Sequence, residues 1–285
     1  MSETELNVPA ILADLGFDGA ESVERVSGGR DAAIFRVERC GTSYALRVFR
    51  AGEAEAARRE VLAMRAAVAH GLPVPAVLAE ALGRDRPALL LSWIPGCPLA
   101  QELAARPWRA WPLGVLFGRT LAALHRTVAP EGLRAVGDTW IKWEGPGDAT
   151  IAETVANKAR LLHLDYHLLN VLTDGARITG VLDWTNARAG DPRADFGRTL
   201  TILRLDAGPR SFAKSAVLRV FEAGMRRGYR QVAGRLHNLA PYYAWAGAVM
   251  LHDRGPRLDR PSAMSPSELA RARSWTEHWM KRAAR

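Results

Sequence analysis

The eight residues His163–Asn170 read HLDYHLLN, and the fourteen that follow, Val171–Trp184, read VLTDGARITGVLDW. The second stretch holds two short apolar runs separated by an Asp-Gly pair, which is typical of a β-hairpin. Because a hairpin folds its two ends together, we expect Asn170 and Asp183 to lie side by side near Asp165. Two carboxylates and one amide oxygen then meet in one place.

Carboxylate and amide oxygens suit Mg²⁺, which takes few ligands from the protein and the rest from phosphates and water. In phosphoryl transfer, one aspartate orients the nucleophilic hydroxyl group, while an asparagine and a second aspartate hold the metal on the nucleotide. The pattern therefore predicts Asp165 as the catalytic residue, with Asn170 and Asp183 as the metal ligands.

These residues resemble the motifs of the aminoglycoside phosphotransferase and choline kinase-like small-molecule kinases, distant relatives of the protein kinases. The family pattern is His-Gly-Asp-x-x-x-x-Asn, then Ile/Val-Asp-Trp, then Gly-Asp-Pro-x-x-Asp. The chain matches its order and spacing with His163-Leu164-Asp165, Asn170, Leu182-Asp183-Trp184 and Gly190–Asp195. Leu164 replaces the usual glycine and Leu168-Leu169 replace a common Pro-Gly, but neither change removes a reacting group.

The resemblance implies an α+β, two-lobed protein kinase-like fold with a small β-sheet N-lobe and a mainly helical C-lobe. It implies ATP and Mg²⁺ as cofactors and the hydroxyl group of a small molecule as the acceptor. The corresponding domains are a nucleotide-binding lobe over residues 1–92, a hinge over 93–98, and a helical catalytic and substrate lobe over 99–285.

Short β-type runs at Ser22–Val26, Ala32–Val37 and Ser43–Phe49 fit the expected first lobe. Gly28 and Gly29 lie in the first turn, where backbone N–H groups can approach phosphates, although a simple hairpin turn explains the pair equally well.

Arg47 occupies the place where kinases carry a phosphate-binding lysine, and the chain has no lysine before Lys142. Arginine stays charged and binds phosphate through two donors. The alternative is a surface arginine on a strand. Glu60, on a helix predicted over Glu53–His70, is the expected partner of Arg47, with Glu53 and Glu55 as rivals.

The family resemblance places backbone groups of Ser92, Trp93 and Ile94 against the adenine, just before Pro95-Gly96. Further helices are predicted at the following residues: Trp111–His125, Ile151–Leu161, Phe196–Leu205, Ser211–Arg227, Tyr229–His252 and Ser265–Ala284.

Five more polar side chains near the motif are expected to support it. His163 is expected to brace the catalytic loop through hydrogen bonds and His125 to be structural. His167 lines the site or the loop surface. Asp191 and Asp195 are expected to cap a helix and brace the loop, because Asp before Pro is typical of a helix start.

The net charge of +9 comes from scattered basic residues without any run of five or six Lys or Arg. We therefore expect no nucleic-acid partner. No apolar run approaches the ~20 residues that a membrane span needs, so we expect no membrane partner either. Two cysteines and an acidic N-terminus favour a cytoplasmic protein. We expect a monomer or a weak homodimer.

Two other classes of function remain open. His163, Asp165 and His167 have ligand types that suit zinc, as in a zinc-dependent hydrolase. A non-catalytic, kinase-like nucleotide-binding module is the other alternative. For a kinase, the many arginines in the second half of the chain favour a neutral or weakly cationic acceptor, such as a sugar, an amino-alcohol or an antibiotic other than an aminoglycoside.

Overall fold

The computed structural model describes residues 6–26, 32–134, 160–205, 212–256 and 263–284. Within these ranges the chain forms a small antiparallel sheet followed mainly by helices. The strands are β1 Ser22–Val26, β2 Ala32–Arg39, β3 Thr42–Phe49, β4 Val77–Ala81, β5 Ala88–Ser92, β6 Cys97–Pro98, β7 Arg160–Leu162, β8 Val171–Thr173, β9 Ile178–Val181 and β10 Arg188–Gly190. The α-helices are α1 Val8–Asp14, α2 Ala54–Ala69, α3 Leu99–Ala105, α4 Ala110–Leu124, α5 Glu131–Arg134, α6 Pro192–Leu205, α7 Phe212–Ala233, α8 Ala240–Arg254 and α9 Pro266–Ala283.

The N-terminal sheet has the strand order β1-β2-β3-β5-β4, with antiparallel neighbours throughout. Side chains alternate between the two faces of a strand. Leu46 and Val48 of β3 therefore pack in the cluster that contains α1, while Phe49 packs on the opposite face in the cluster that contains α2. Arg47 lies on the α2 face, where its side chain pairs with Glu60 of that helix.

The segment between β5 and β6 ends at Gly96, which has φ +125°. A Cβ at this position would lie 2.6 Å from Thr179 Oγ1 and 2.8 Å from the Thr173 carbonyl oxygen. Only glycine fits such an approach. The chain then pairs at once as β6 with β8, in a three-stranded sheet of order β6-β8-β9. The segment that follows β5 thus leads directly onto the hairpin that ends at Asp183.

Helices α4 and α7 form the centre of the second lobe, where their backbones approach each other without intervening side chains. A Cβ added to Gly114 would lie 2.2 Å from the carbonyl oxygen of Phe221 on α7. A Cβ added to Gly118 would lie 2.0 Å from the carbonyl oxygen of Met225. Glycines of α7 meet α4 in the same way. A Cβ on Gly228 would lie 2.1 Å from the Val115 carbonyl oxygen. The paired glycines therefore set the distance between the two helices.

The predicted fold class is confirmed, with an antiparallel N-terminal sheet and a helical C-terminal part. Among the described helices, none combines the length and the apolar character needed to cross a bilayer.

Two predicted helices were wrong in part. The run predicted over 229–252 is interrupted between α7 and α8, because Gly234 and Asn238 have positive φ. Residues 160–162 form β7, whereas the rest of the helix predicted over 151–161 lies outside the described residues.

Candidate active site

The hairpin predicted from the sequence is present and holds Asn170 and Asp183 at its open end. Strands β8 and β9 pair antiparallel, with Val171 opposite Val181. The Leu182 N–H donates to the Asn170 carbonyl oxygen at 2.8 Å, which extends the pairing by one step towards the site. At the other end the Asp174 carboxylate accepts hydrogen bonds from two backbone N–H groups of the turn. Local turn chemistry therefore brings the two predicted metal ligands together.

Asp165 lies beside this open end. Asn170 Nδ2 donates to the Asp165 carbonyl oxygen at 3.1 Å and lies 3.3 Å from its Oδ2. His167 Nε2 lies 3.5 Å from the same carboxylate oxygen. Burial and the negative charge of Asp165 raise the pKa of Asp183, whereas the charge of Arg47 and a hydrogen bond from Thr185 lower it. The lowering effects prevail, so the pKa of Asp183 is below its usual value. The two carboxylates are thus close enough to interact electrostatically.

Arg47 connects the N-terminal sheet to the hairpin. Its Nε lies 3.3 Å from Glu60 Oε2, and its Nη2 donates to Asp183 Oδ1 at 3.1 Å. Burial raises the pKa of Glu60, and the charge of Arg47 partly offsets this effect. The rival carboxylates lie elsewhere. Glu53 accepts a hydrogen bond from the Arg50 N–H, and Glu55 pairs with Arg58 on the exposed side of α2.

Thr185 is a site residue that the sequence analysis missed. Its hydroxyl accepts a hydrogen bond from Arg47 Nη2 at 2.6 Å and donates to Asp183 Oδ1 at 2.9 Å. Thr185 therefore fixes the rotamer of the Asp183 carboxylate and the position of the guanidinium together. The only feature of the sequence that pointed to Thr185 is its position two residues after Asp183.

The stretch His163–Asp165 is braced from below by Asp195. The two carboxylate oxygens of Asp195 accept hydrogen bonds from the backbone N–H groups of His163 at 2.6 Å and Leu164 at 3.0 Å. His125 Nε2 lies 3.1 Å from the same carboxylate, and His125 Nδ1 lies 2.8 Å from the Tyr229 hydroxyl. These contacts confirm that His125 is structural and that Asp195 braces the loop.

Replacing Asp195 by asparagine should destabilise the fold by about 1–3 kcal/mol, because two buried N–H groups lose a carboxylate acceptor that the amide replaces only in part. Burial raises the pKa of Asp195, but hydrogen bonds and charges from His125 and His163 lower it below normal. A depressed folded-state pKa gives stability that is present above the unfolded value near 4 and is lost as the pH falls further. Urea unfolding at pH 7 and pH 3.5 should show a smaller acid loss in Asp195→Asn than in the wild type. Equal losses would contradict this account.

The contacts of His163 do not support the zinc alternative. His163 Nε2 lies 2.9 Å from the Leu182 carbonyl oxygen, and Nδ1 accepts a hydrogen bond from the Asp165 N–H at 3.2 Å. Both ring nitrogens are therefore engaged by the backbone. Among the residues with described positions, no group of three or more His, Cys, Asp or Glu side chains has the arrangement of a metal centre.

The donor atoms fit Mg²⁺ better, because this ion prefers oxygen ligands and needs few from the protein. Asn170 directs its Nδ2 to Asp165, which leaves its Oδ1 as the amide atom for a cation. Asp183 Oδ1 is occupied by Arg47 and Thr185, while its Oδ2 accepts no hydrogen bond from another described residue. Asp183 remains 41% exposed at its side chain.

The predicted adenine contacts lie at the end of β5. Ser92 is tied to Ala76 by two hydrogen bonds, one from its own N–H and one to its hydroxyl, both at 2.9 Å. The Ile94 side chain packs on Gly180, where a Cβ would lie 2.6 Å from Ile94 Cγ2. Neither Trp93 nor Ile94 makes a backbone–backbone hydrogen bond to another described residue. Gly28 and Gly29 lie outside the described residues.

Comparison with known proteins gives one family and a set of similar structures. The phosphotransferase enzyme family model matches residues 22–146 and 137–235. A thermostable mutant of aminoglycoside phosphotransferase APH(4)-Ia, in a ternary complex with AMP-PNP and hygromycin B, has 18% identity and a TM-score of 0.63, with coverage of 97% of this chain and 98% of that one. The amicoumacin kinase hAmiN, in complex with AMP-PNP, Ca²⁺ and Ami, has 17% identity and a TM-score of 0.64, with coverage of 98% and 94%.

A third structure, APH(3'')-Id from Streptomyces rimosus ATCC10970, has 18% identity and a TM-score of 0.60 over 86% of this chain and 98% of that one. No protein of curated function matches the sequence at a significant level. Identities this low show the shared fold alone, but the family model spans most of the chain. The chain therefore belongs to the phosphotransferase enzyme family.

Proposed function

We propose that this protein is an ATP- and Mg²⁺-dependent kinase that phosphorylates a hydroxyl group of a small molecule. The observation that carries the proposal is the meeting of Asp165, Asn170 and Asp183 at one end of a hairpin, beneath an Arg47–Glu60 ion pair. Oxygen ligands, a cation for phosphate and a carboxylate for a hydroxyl are the groups that phosphoryl transfer needs.

In this proposal each residue has a separate task. Asp165 orients the acceptor hydroxyl group and accepts its proton, while Asn170 and Asp183 hold the metal. Arg47, positioned by Glu60, binds the phosphates. ATP supplies the phosphoryl group and Mg²⁺ offsets the charge of its phosphates. Most of the rate enhancement then comes from positioning and charge stabilisation.

Two further contacts with the nucleotide belong to the same proposal. Backbone N–H groups at Gly28 and Gly29 approach the phosphates, and backbone groups from Ser92 to Ile94 face the adenine. The support for the second contact is that Trp93 and Ile94 leave their backbone groups without backbone partners among the described residues.

The charges near the acceptor side favour a neutral or weakly cationic acceptor, such as a sugar, an amino-alcohol or an antibiotic without many amines. Polycationic substrates need carboxylates that are not already neutralised. The described carboxylates along α6, α7 and α8 have arginine or histidine partners: Asp191 with Arg193, Asp195 with His125, Glu222 with Arg204 and Arg226, and Asp253 with Arg198.

A panel of acceptors read out by Mg²⁺-dependent release of ADP tests the proposal. We expect ADP release to rise above the rate without acceptor for at least one neutral hydroxyl compound, and to rise less for aminoglycosides. Binding of a labelled nucleotide that requires Mg²⁺, without turnover on any acceptor, would instead support the non-catalytic module. No nucleotide binding at all would refute both.

Asp183→Asn should weaken the use of Mg²⁺. Changes in groups that only orient a metal ligand cost about 10- to 100-fold in affinity, so loss of the ligand's charge should cost at least about tenfold. The measurement is the Mg²⁺ concentration for half-maximal binding of labelled ATP. Asp174→Asn, on the exposed turn of the same hairpin, serves as the matched control and should leave this concentration unchanged. An unaltered Mg²⁺ requirement in Asp183→Asn would remove Asp183 from the metal site.

A further inference from the structure

Helix α6 contacts the catalytic loop through two side chains that lie one turn apart. Asp195 Oδ1 accepts a hydrogen bond from the Leu164 N–H at 3.0 Å, and Arg198 Nε donates to the Leu164 carbonyl oxygen at 2.9 Å. Both side chains are buried, with Arg198 only 7% exposed. The two polar backbone groups of Leu164 are therefore both held by the same face of one helix.

Leu164 needs such support because of its backbone conformation. Its φ is +61°, in the left-handed region where glycine is favoured. For a residue with a side chain this conformation is unfavourable, because Cβ then lies too close to the following carbonyl oxygen. Strained residues of this kind persist when the surrounding structure holds them in place. The Leu164 side chain is fully buried beside Leu162, Ala194 and Trp245, which restrains it further.

The carbonyl group of Leu164 and the N–H of Asp165 belong to one planar peptide unit. The Asp165 N–H donates to His163 Nδ1 at 3.2 Å, and Arg198 holds the opposite side of the same unit. The orientation of this peptide sets the direction in which the Asp165 side chain leaves the backbone. A rotation of the peptide would carry the carboxylate away from Asn170.

Arg198 is itself held in position from a second helix. Its Nη2 donates to Asp253 Oδ2 of α8 at 3.1 Å, so one guanidinium bridges the loop and the C-terminal end of α8. The planar fork of arginine can make both contacts at once, whereas the single ammonium group of lysine cannot reproduce that geometry. The bridge thus connects three segments that are distant in the sequence.

We propose that Arg198 is a positioning residue that holds the left-handed Leu164–Asp165 peptide and so directs Asp165 at the acceptor. This inference rests on the proposed function for the identity of the acceptor group. We expect loss of Arg198 to displace Asp165 because position 164 carries leucine. With glycine at position 164, loss of Arg198 should displace Asp165 less. Arg193 on the same helix pairs with Asp191 and makes no hydrogen bond or ion pair to the described residues of the loop, so it provides the matched control.

The first experiment measures hydrogen–deuterium exchange in the full-length protein and needs no substrate. In Arg198→Ala, peptides covering residues 161–170 should exchange at least about threefold faster than in the wild type, because the Leu164 carbonyl loses its donor. Peptides from α4 should be unchanged, and Arg193→Ala should leave the loop protected. Unchanged exchange of the loop in both Arg198→Ala and Arg198→Lys would overturn the proposal.

The second experiment compares kinetics in two backgrounds, with an acceptor from the panel and with ADP release as the readout. Arg198→Ala should lower kcat at least about tenfold with little change in the KM for ATP, since a misplaced catalytic group affects the transition state. In the Leu164→Gly background the same change should lower kcat less than about threefold. Arg198→Lys should recover only part of the loss.

The outcomes separate this inference from the proposed function. If the wild type phosphorylates no acceptor, the proposed function fails, whereas the exchange data still decide whether Arg198 holds the loop. Equal kinetic losses from Arg198→Ala in the two backgrounds, or a loss no larger than that of Arg193→Ala, would refute the coupling to Leu164. A selective loss that glycine at position 164 relieves would support it.

Discussion

Asp165→Ala is expected to lower kcat by about a thousandfold while the Kd for Mg-ATP stays within about threefold of the wild type. General base catalysis and alignment by one carboxylate contribute about 10²- to 10⁴-fold. Asp165 contacts Asn170 through hydrogen bonds, but in the proposed function it faces the acceptor and not the nucleotide, so nucleotide binding should persist without its carboxylate. Single-turnover phosphoryl transfer and equilibrium nucleotide binding are the two measurements needed.

Asp165→Asn refines this test because it keeps the shape of the side chain and removes the proton acceptor. It should lose nearly as much activity as the alanine variant. Asp174→Ala is the matched control, since Asp174 lies on the same hairpin and only stabilises the exposed turn. A kcat near the wild-type value in Asp165→Ala, with any acceptor that the wild type uses, would remove Asp165 from the mechanism.

Gly118→Ala is expected to have the largest effect on stability, a loss of about 3 kcal/mol or more. The added Cβ would lie 2.0 Å from the Met225 carbonyl oxygen, which belongs to the backbone of α7 and cannot turn aside. Helices α4 and α7 would have to separate, and overpacking that forces backbone shifts costs about 1–3 kcal/mol and occasionally more. The midpoint of thermal unfolding should fall by about 6–12 °C.

Gly83→Ala provides the control for this substitution. A Cβ on Gly83 meets nothing within 4 Å, so the change should alter stability by less than about 0.5 kcal/mol. Gly228→Ala, at the reciprocal contact on α7, should reproduce the loss seen in Gly118→Ala. If Gly118→Ala and Gly228→Ala both left the unfolding midpoint unchanged, the backbones of α4 and α7 could not lie as close together as described.

The Asp-Gly pair between two apolar runs correctly predicted the hairpin between Asn170 and Asp183. Asp174 and Gly175 form a turn through local hydrogen bonds, and the apolar runs on either side pair as expected. The N-terminal strands were predictable for the same reason, since their period-2 pattern is local. The uninterrupted helix predicted over 229–252 failed because Gly234 has φ +79° and ends α7, a stop that apolar spacing alone does not show.

Several features depended on residues that are far apart in the chain. Glu60 and Glu55 lie on different faces of α2, since Glu60 is buried and pairs with Arg47 whereas Glu55 is exposed, and Glu53 precedes the helix. Thr185 became a site residue because Arg47, 138 positions earlier, reaches its hydroxyl. Leu164 is held in a conformation that favours glycine by two side chains of α6.

The sequence by itself therefore determined the hairpin, the order of the motifs and the oxygen-bearing side chains at Asp165, Asn170 and Asp183, because these follow from short-range patterns of side chains and turns. Only the tertiary structure decided which glutamate faces Arg47, how closely α4 approaches α7 and what holds the peptide before Asp165. Those outcomes are set by contacts between distant segments, whose geometry no local pattern contains.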